Sequence, residues 1–231
     1  MLKINCDIGE RGVAHPVDDR LMQYIDIANI ACGGHAGDQQ SVDYYLSLCH
    51  KHKVRPSAHV GYPDPENFGR KRMEISNREL FDSLDKQIAL FPSIEMIKPH
   101  GALYFAINDS DELAQMFVDW CIKNNLSSII NTPFGHVAKI CQKRGDITLL
   151  RESFVERGYF LKENAYPELI PRGQSNAEIK EVSQAVEQYN QLLRGFITID
   201  GTQQVFYSDT ACIHSDSSIA LELVKAIRKM Q

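Results

Sequence analysis

The chain has 231 residues, 43% of them apolar and 24% charged, the balance of a soluble globular protein long enough to bury a core without disulfide or metal staples. A formal charge of −5 lacks the basic excess of a general nucleic-acid binder, and no run of 18 apolar residues is present to span a bilayer as a helix. The opening MLKINCDIGE has no charged-then-apolar export layout and the cysteines form no CxxC pair, so a reduced, cytoplasmic protein is expected.

Short apolar runs alternate with helical patterns along the chain. Residues 2–6 and 25–31 read as the first two strands. Asp38 then opens a helix whose Val42, Tyr45, Leu46 and Cys49 share one face. After a third run at 54–59, Ser76 and Glu79 read as a capping box at the start of a second helix. Runs at 94–98 and 128–131 follow, the latter ahead of Thr132-Pro133, a cap with proline at the first helical position. A sixth run at 147–150 leads to residues 164–176, whose two prolines and Gly173 read as a long loop. The run at 195–199 continues through Asp200-Gly201 toward Tyr207 as a hairpin. The last run, 210–214, is followed by Asp216-Ser217-Ser218 and a closing helix over 219–230. This alternation implies a mainly parallel sheet, because parallel strands need crossover connections. Seven or eight repeats favour closure into a (β/α) barrel, one domain over residues 1–231.

The chemistry-bearing residues gather at the ends of the apolar runs. Asn5 and Asp7 follow the first, His35 and Asp38 the second, His59 the third, Lys98 and His100 the fourth, Glu152 the sixth, and His214 with Asp216 the last. In a parallel barrel these strand ends open on one face and converge. Four strand-end histidines, each near Gly, Pro or a carboxylate, point to proton chemistry or metal binding rather than to four separate structural roles. His15, His50, His52 and His136 lie in helical or loop sequence and are read as solvated or locally bonded. No GxxxxGK[ST], GxSxG or HExxH is present, which excludes P-loop phosphate binding, a nucleophile elbow and a zincin helix.

Several ordered blocks resemble the LamB/YcsF family. Residues 5–10, NCDIGE, match its opening NCDxGE, and residues 28–38, ANIACGGHAGD, are similar to its ANIACGFHAGD. Ala58-His59 with Gly61-Tyr62-Pro63-Asp64 and Phe68-Gly69-Arg70 resembles AHPxYPD…FGRR; residues 98–104 match KPHGALY; residues 209–216 resemble ADTICVHGD. The chain departs from the pattern at Arg11, Gly34, Val60 and Val155-Glu156, positions that border the expected pocket and bear on substrate range. The resemblance implies an irregular, TIM-like (β/α) barrel of the glycoside-hydrolase/deacetylase type with seven or eight mainly parallel strands. It also implies the A component of a three-part bacterial 5-oxoprolinase, which opens pyroglutamate to glutamate with ATP hydrolysis.

On that basis Asp7 and Glu152 are expected as base or proton relay, and His59 and His100 as acids. Asn5, His35, Lys98, His214 and Asp216 are expected to bind or orient substrate, Asp216 otherwise capping the last helix. ATP is expected as co-substrate, held mainly by two companion subunits of B and C type, since the chain has no P-loop. Two other readings use the same residues. One is a metal-dependent, deacetylase-like amidohydrolase with a divalent ion on Asp7, His35 and His59. The other is a non-catalytic subunit that shelters an intermediate for its partners.

Overall fold

The computed structural model describes residues 1–161 and 166–230. In chain order, β1 (Lys3–Ile8), α1 (Pro16–Leu21), β2 (Ile27–Ala31), α2 (Gln39–His52), β3 (Arg55–Val60), α3 (Asn77–Ile88) and β4 (Met96–Pro99) form its first half. The chain continues through α4 (Gly101–Asp109), α5 (Asp111–Lys123), β5 (Ser128–Asn131), α6 (His136–Arg144) and β6 (Thr148–Phe154). It ends with β7 (Tyr159–Leu161), β8 (Pro167–Leu169), α7 (Val182–Leu193), β9 (Phe196–Ile199), β10 (Thr202–Val205), β11 (Thr210–Cys212) and α8 (Ala220–Lys229).

Seven strands close into a parallel barrel in the order β1-β11-β6-β5-β4-β3-β2. The TIM-like α/β barrel read from the alternation is therefore present, with seven strands and not eight. Every residue of β2, IANIA, is buried, as befits a strand with the lumen on one face and helices on the other. Most of the apolar core lies between barrel and helices, where Leu21, Val42, Tyr45, Leu84, Phe117, Ile140, Leu223 and Ile227 pack outside the strands. A small second cluster of Ile27, Met96 and Ile130, with Leu150 against it, fills one level of the lumen.

The local start signals are mostly realised. Asp38 caps α2 by accepting a hydrogen bond from Ser41 N at 2.8 Å, and Ser76 and Glu79 form their reciprocal box on α3. Two expected caps are corrected. The α6 helix begins three residues beyond Pro133, with Gly135 as its cap at φ 91°, while Thr132 Oγ1 accepts from Phe134 N in a local turn. The α8 cap is Ile219, so Asp216 does not cap the closing helix.

The run at 195–199 is the extra strand of the sequence count. It forms β9, which pairs antiparallel with β10 outside the barrel through Asp200 and Gly201, both at positive φ as a tight hairpin requires. The loop expected at 164–176 is partly a strand: Pro167–Leu169 pairs antiparallel with β7, while residues 164 and 165 lie outside the described residues. No described helix is long and apolar enough to cross a membrane, and all six cysteines are free and buried.

Candidate functional site

Strand registry sets the site. Asp7 of β1 stands opposite Asn29 of β2, His59 of β3 opposite Lys98 of β4, and Glu152 of β6 opposite Thr210 of β11. Side chains on alternate residues of these strands enter the lumen above the Ile27–Met96–Ile130 level. Lys98, 2% exposed, is the hub: its Nζ lies 2.8 Å from Asp7 Oδ1 and 2.9 Å from Glu152 Oε1, and it donates to Asn5 Oδ1 at 3.3 Å. Asn29 Nδ2 donates to Asn5 Oδ1 at 2.8 Å and to Asp7 Oδ1 at 2.9 Å, and Asn5 Nδ2 donates to Thr210 Oγ1. Burial alone opposes the ammonium, yet Asp7, Cys212 and Glu152 outweigh it and hold Lys98 well above the usual lysine range. Burial likewise opposes the Asp7 carboxylate, and His59 and Lys98 nonetheless hold it well below its usual range.

Beside this hub stand three histidines around one carboxylate. Glu10 Oε1 is 2.9 Å from His35 Nε2, 3.2 Å from His100 Nδ1 and 3.5 Å from His59 Nε2. His59 Nε2 is also 3.3 Å from Asp7 Oδ2 and 2.9 Å from His100 Nδ1. Burial works against a charged His59, but Asp7 and Glu10 win and raise it to about 9. Burial prevails at His35, which falls to about 3, and lowers His100 as well. His100 sits at the N-cap position of α4 without capping it, because its ring is turned into this cluster. The Phe68-Gly69 turn closes over the rings, and a Cβ at Gly69 would lie 2.9 Å from His35 Cβ, so only glycine fits.

On the far wall, His214 lies two residues past β11. Its Nδ1 is in very close contact with Glu156 Oε1, which also accepts the His214 backbone N–H at 3.0 Å. Its Nε2 is 3.9 Å from Asp7 Oδ2, toward the lumen.

These groups face a cavity of about 620 Å³. Asp7, His59, Lys98, His100 and His214 line it, as the sequence led us to expect. The other expected residues stand behind or beside it. Asn5 and His35 support Lys98 and Glu10 from outside the wall. Glu152 lines a second cavity of about 290 Å³ whose wall includes Tyr104 and Phe154. Asp216 is at the rim, 3.2 Å from Arg70 and 3.8 Å from Arg172. It thus orients two cavity-lining cations and is not itself a wall residue.

Four groups escaped the sequence reading, Glu156 behind His214 among them. Glu10 lies in the NCDIGE block, but its place two residues past β1 gives no direction for its side chain. Arg70 and Arg172, from distant loops, line the cavity mouth, and nothing in their local sequence ties them together. Among the groups that could hold a metal, Glu10 gathers with His35, His59 and His100, whereas Asp7 gathers with Cys212 and His214. The ligand set Asp7, His35 and His59 is thus divided between two clusters.

Comparison with known proteins adds a family frame. The model of the LamB/YcsF family matches residues 2–231. A 5-oxoprolinase A subunit from Pyrococcus abyssi is 32% identical over 98% of this chain and 92% of its own length. Its counterpart from Vibrio cholerae is also 32% identical, over 98% of this chain and 96% of its own. The crystal structure of a lactam utilization protein from Thermus thermophilus superposes with a TM-score of 0.84 at 27% identity, covering 99% of this chain and 94% of that one.

Proposed function

The chain belongs to the LamB/YcsF family, and from that premise we propose that it is the A subunit of an ATP-dependent 5-oxoprolinase, opening 5-oxo-L-proline to L-glutamate with two companion subunits. The observation that carries the reading is the convergence of three differently tuned groups on one cavity. They are the carboxylate-backed imidazole of His214, the cationic His59 and the doubly paired Lys98. The substrate class comes from the 5-oxoprolinase A subunits that the chain resembles, and the similar lactam utilization protein agrees with it.

A lactam is a resonance-stabilised amide with a poor amine leaving group, so hydrolysis needs an activated carbonyl, a base for water and an acid for the ring nitrogen. Phosphorylation of the carbonyl oxygen by ATP supplies the activation. This chain has no P-loop, and we assign ATP binding and phosphoryl transfer to the companions. In this reading His214, oriented through Nδ1 by Glu156, takes a proton from the water that attacks the phosphorylated carbon and returns it to the nitrogen as the C–N bond breaks. A second water then hydrolyses the resulting γ-glutamyl phosphate to glutamate and phosphate. His59 sets positive charge against the developing oxyanion. Asp7 orients His59 and Lys98 together, and Arg70 and Arg172 meet the substrate carboxylate or phosphoryl oxygens at the mouth. Free, buried cysteines fit a reduced cytoplasmic compartment.

The test is glutamate release from 5-oxoproline and ATP, with this chain added to or omitted from its companions. Strict dependence is expected, as is loss of turnover to background for Asp7→Asn with the fold retained. His214→Gln is expected to lower kcat by about 100-fold or more. Full turnover without this chain, the companions being competent, sinks the proposal.

A further inference from the structure

Two imidazoles of the cavity wall confront each other through nitrogens whose hydrogens are committed elsewhere. His59 Nδ1 lies 3.1 Å from the Lys98 carbonyl oxygen and His100 Nε2 lies 3.0 Å from that of Phe68. A carbonyl only accepts, so the single N–H of each neutral ring points there. The lone pairs of His59 Nε2 and His100 Nδ1 then face one another across 2.9 Å, an arrangement that needs a cation, proton or metal, between them. Glu10 Oε1 completes a triangle, 3.2 Å from one nitrogen and 3.5 Å from the other. One face of a tetrahedron of N and O ligands around zinc has edges of about 3.4 Å, from bonds of about 2.1 Å.

We propose that Glu10, His59 and His100 bind one divalent transition-metal cation of the zinc class, with the remaining coordination position open to the cavity. All three line the cavity wall. Two imidazoles and a carboxylate with an open fourth position are a donor set for zinc and related ions, not for magnesium or calcium.

The surroundings are built as an outer shell for such a site. Metal-ligating histidines fix their ring through a hydrogen bond at the other nitrogen, and both rings do so to backbone carbonyls. The carbonyl serving His100 comes from Phe68, a non-glycine residue at φ 55°, next to Gly69 at φ 61°. A bulky side chain in that left-handed region is strained, and the strain aims the carbonyl at His100. His35 is a support and not a fourth ligand. Its ring stacks on His100 with centroids 3.5 Å apart and planes within 5°, so the two rings cannot both hold one ion in their planes. Its Nε2 is 2.9 Å from Glu10 Oε1, and its ring is absent from the cavity wall.

The inference rests on the lactam-opening reading and deepens it: with the ion bound His59 is neutral, and the ion supplies the positive charge that the His59 proton supplies in the metal-free chain, while binding is measured without turnover. Isolated full-length protein, stripped with chelator, is titrated with ZnCl₂ and separately with MnCl₂, with bound metal measured after dialysis and thermal unfolding followed in parallel. One equivalent of zinc is expected, with Tm raised by about 5 °C or more at a hundredfold excess over Kd. Glu10→Gln and His100→Ala should each weaken binding about 100-fold or more. A His50→Asn/His52→Asn variant, which removes the exposed His50 and the half-buried His52 of α2, should bind like the parent. Circular dichroism checks the fold; should His100→Ala not fold, the isosteric Glu10→Gln decides. The proposal is overturned if the parent binds neither metal to a substantial fraction of one equivalent, or if binding survives in Glu10→Gln. Metal bound in a chain that supports no glutamate release would sink the functional reading alone, and glutamate release by a chain that binds no metal would sink this one alone.

Discussion

At one level of the barrel lumen Ile27, Met96 and Ile130 pack together, with Leu150 against them. Two residues further along β2, β4 and β6 stand Asn29, Lys98 and Glu152, on the same face because strand side chains repeat every second residue. They are buried as completely as the apolar group. The apolar level is held by area removed from water and by dispersion, neither of which depends on pH. The polar level, which Asp7 of β1 joins opposite Asn29, is held by ion pairs whose attraction only offsets the cost of taking the charges of Lys98, Asp7 and Glu152 out of water. One level stabilises the barrel; the other gives up stability to fix a cation between two carboxylates beneath the histidines.

The largest expected effect comes from removing that cation. Lys98→Met leaves Glu152 buried without its cation and Asp7 held by His59 and Asn29 alone, and should destabilise the chain by about 3–5 kcal/mol. Part of the loss should be recovered at pH 5.5 relative to pH 7.5, since protonation relieves a carboxylate left buried without its cation. Urea unfolding at the two pH values reads this, and equal losses at both would mean that charge is not what fails. Ile130→Ala, on the apolar level, should cost about 2–4 kcal/mol through the cavity it leaves. Its loss should be the same at both pH values, and a pH-dependent one would erase the distinction between the levels.

A third expectation concerns wild-type, metal-free protein. His59 is raised to about 9, so its contribution is complete below its unfolded value of about 6.5 and disappears as pH rises through about 9. His35 is lowered to about 3 and acts in the opposite direction: its contribution is complete above about 6.5 and disappears as pH falls toward about 3. Asp7 and Glu10, both held low, steepen the same acid limb. Stability should therefore peak near neutral pH. His59→Gln should flatten the alkaline limb, and an unchanged limb in that variant would remove His59 as its cause. The smallest effect is expected at the rim, where Asp216 is well exposed beside Arg70 and Arg172. Asp216→Asn should change stability by less than about 0.5 kcal/mol. In the reconstituted assembly it should raise KM severalfold with little change in kcat; a fall in kcat with KM unchanged would place Asp216 in the chemistry instead.

Much of the barrel could be read from residue order. The apolar runs at 54–59, 94–98 and 128–131 became β3, β4 and β5, because short apolar segments separated by capped amphipathic helices have few other ways to bury both faces. Asp200-Gly201 announced its hairpin through the positive φ that such turns demand. Thr132-Pro133 misled, because a cap-like pair is also a good turn, and Gly135 caps the helix instead. In the site, Asp7, His59, Lys98, His100 and His214 were legible as strand-end residues that a parallel barrel must bring to one mouth. Glu10 and Glu156 were not: both lie beyond strand ends, where the direction of a side chain is set by the turn and not by strand alternation.

The sequence by itself determined the strand–helix alternation, the parallel closure and the rank of polar residues at one end, since all three follow from local periodicity and from the need to bury apolar faces. Tertiary structure decided who meets whom. Lys98 reaches Asp7 across 91 residues and Asn5 across 93 because closure and registry bring β1 and β4 to the same level of the lumen. The division of the histidines, with His59 charged and His35 neutral, follows from which carboxylates each meets and how deeply it is buried. Those are properties of distance and desolvation, and neither is written in the order of the residues.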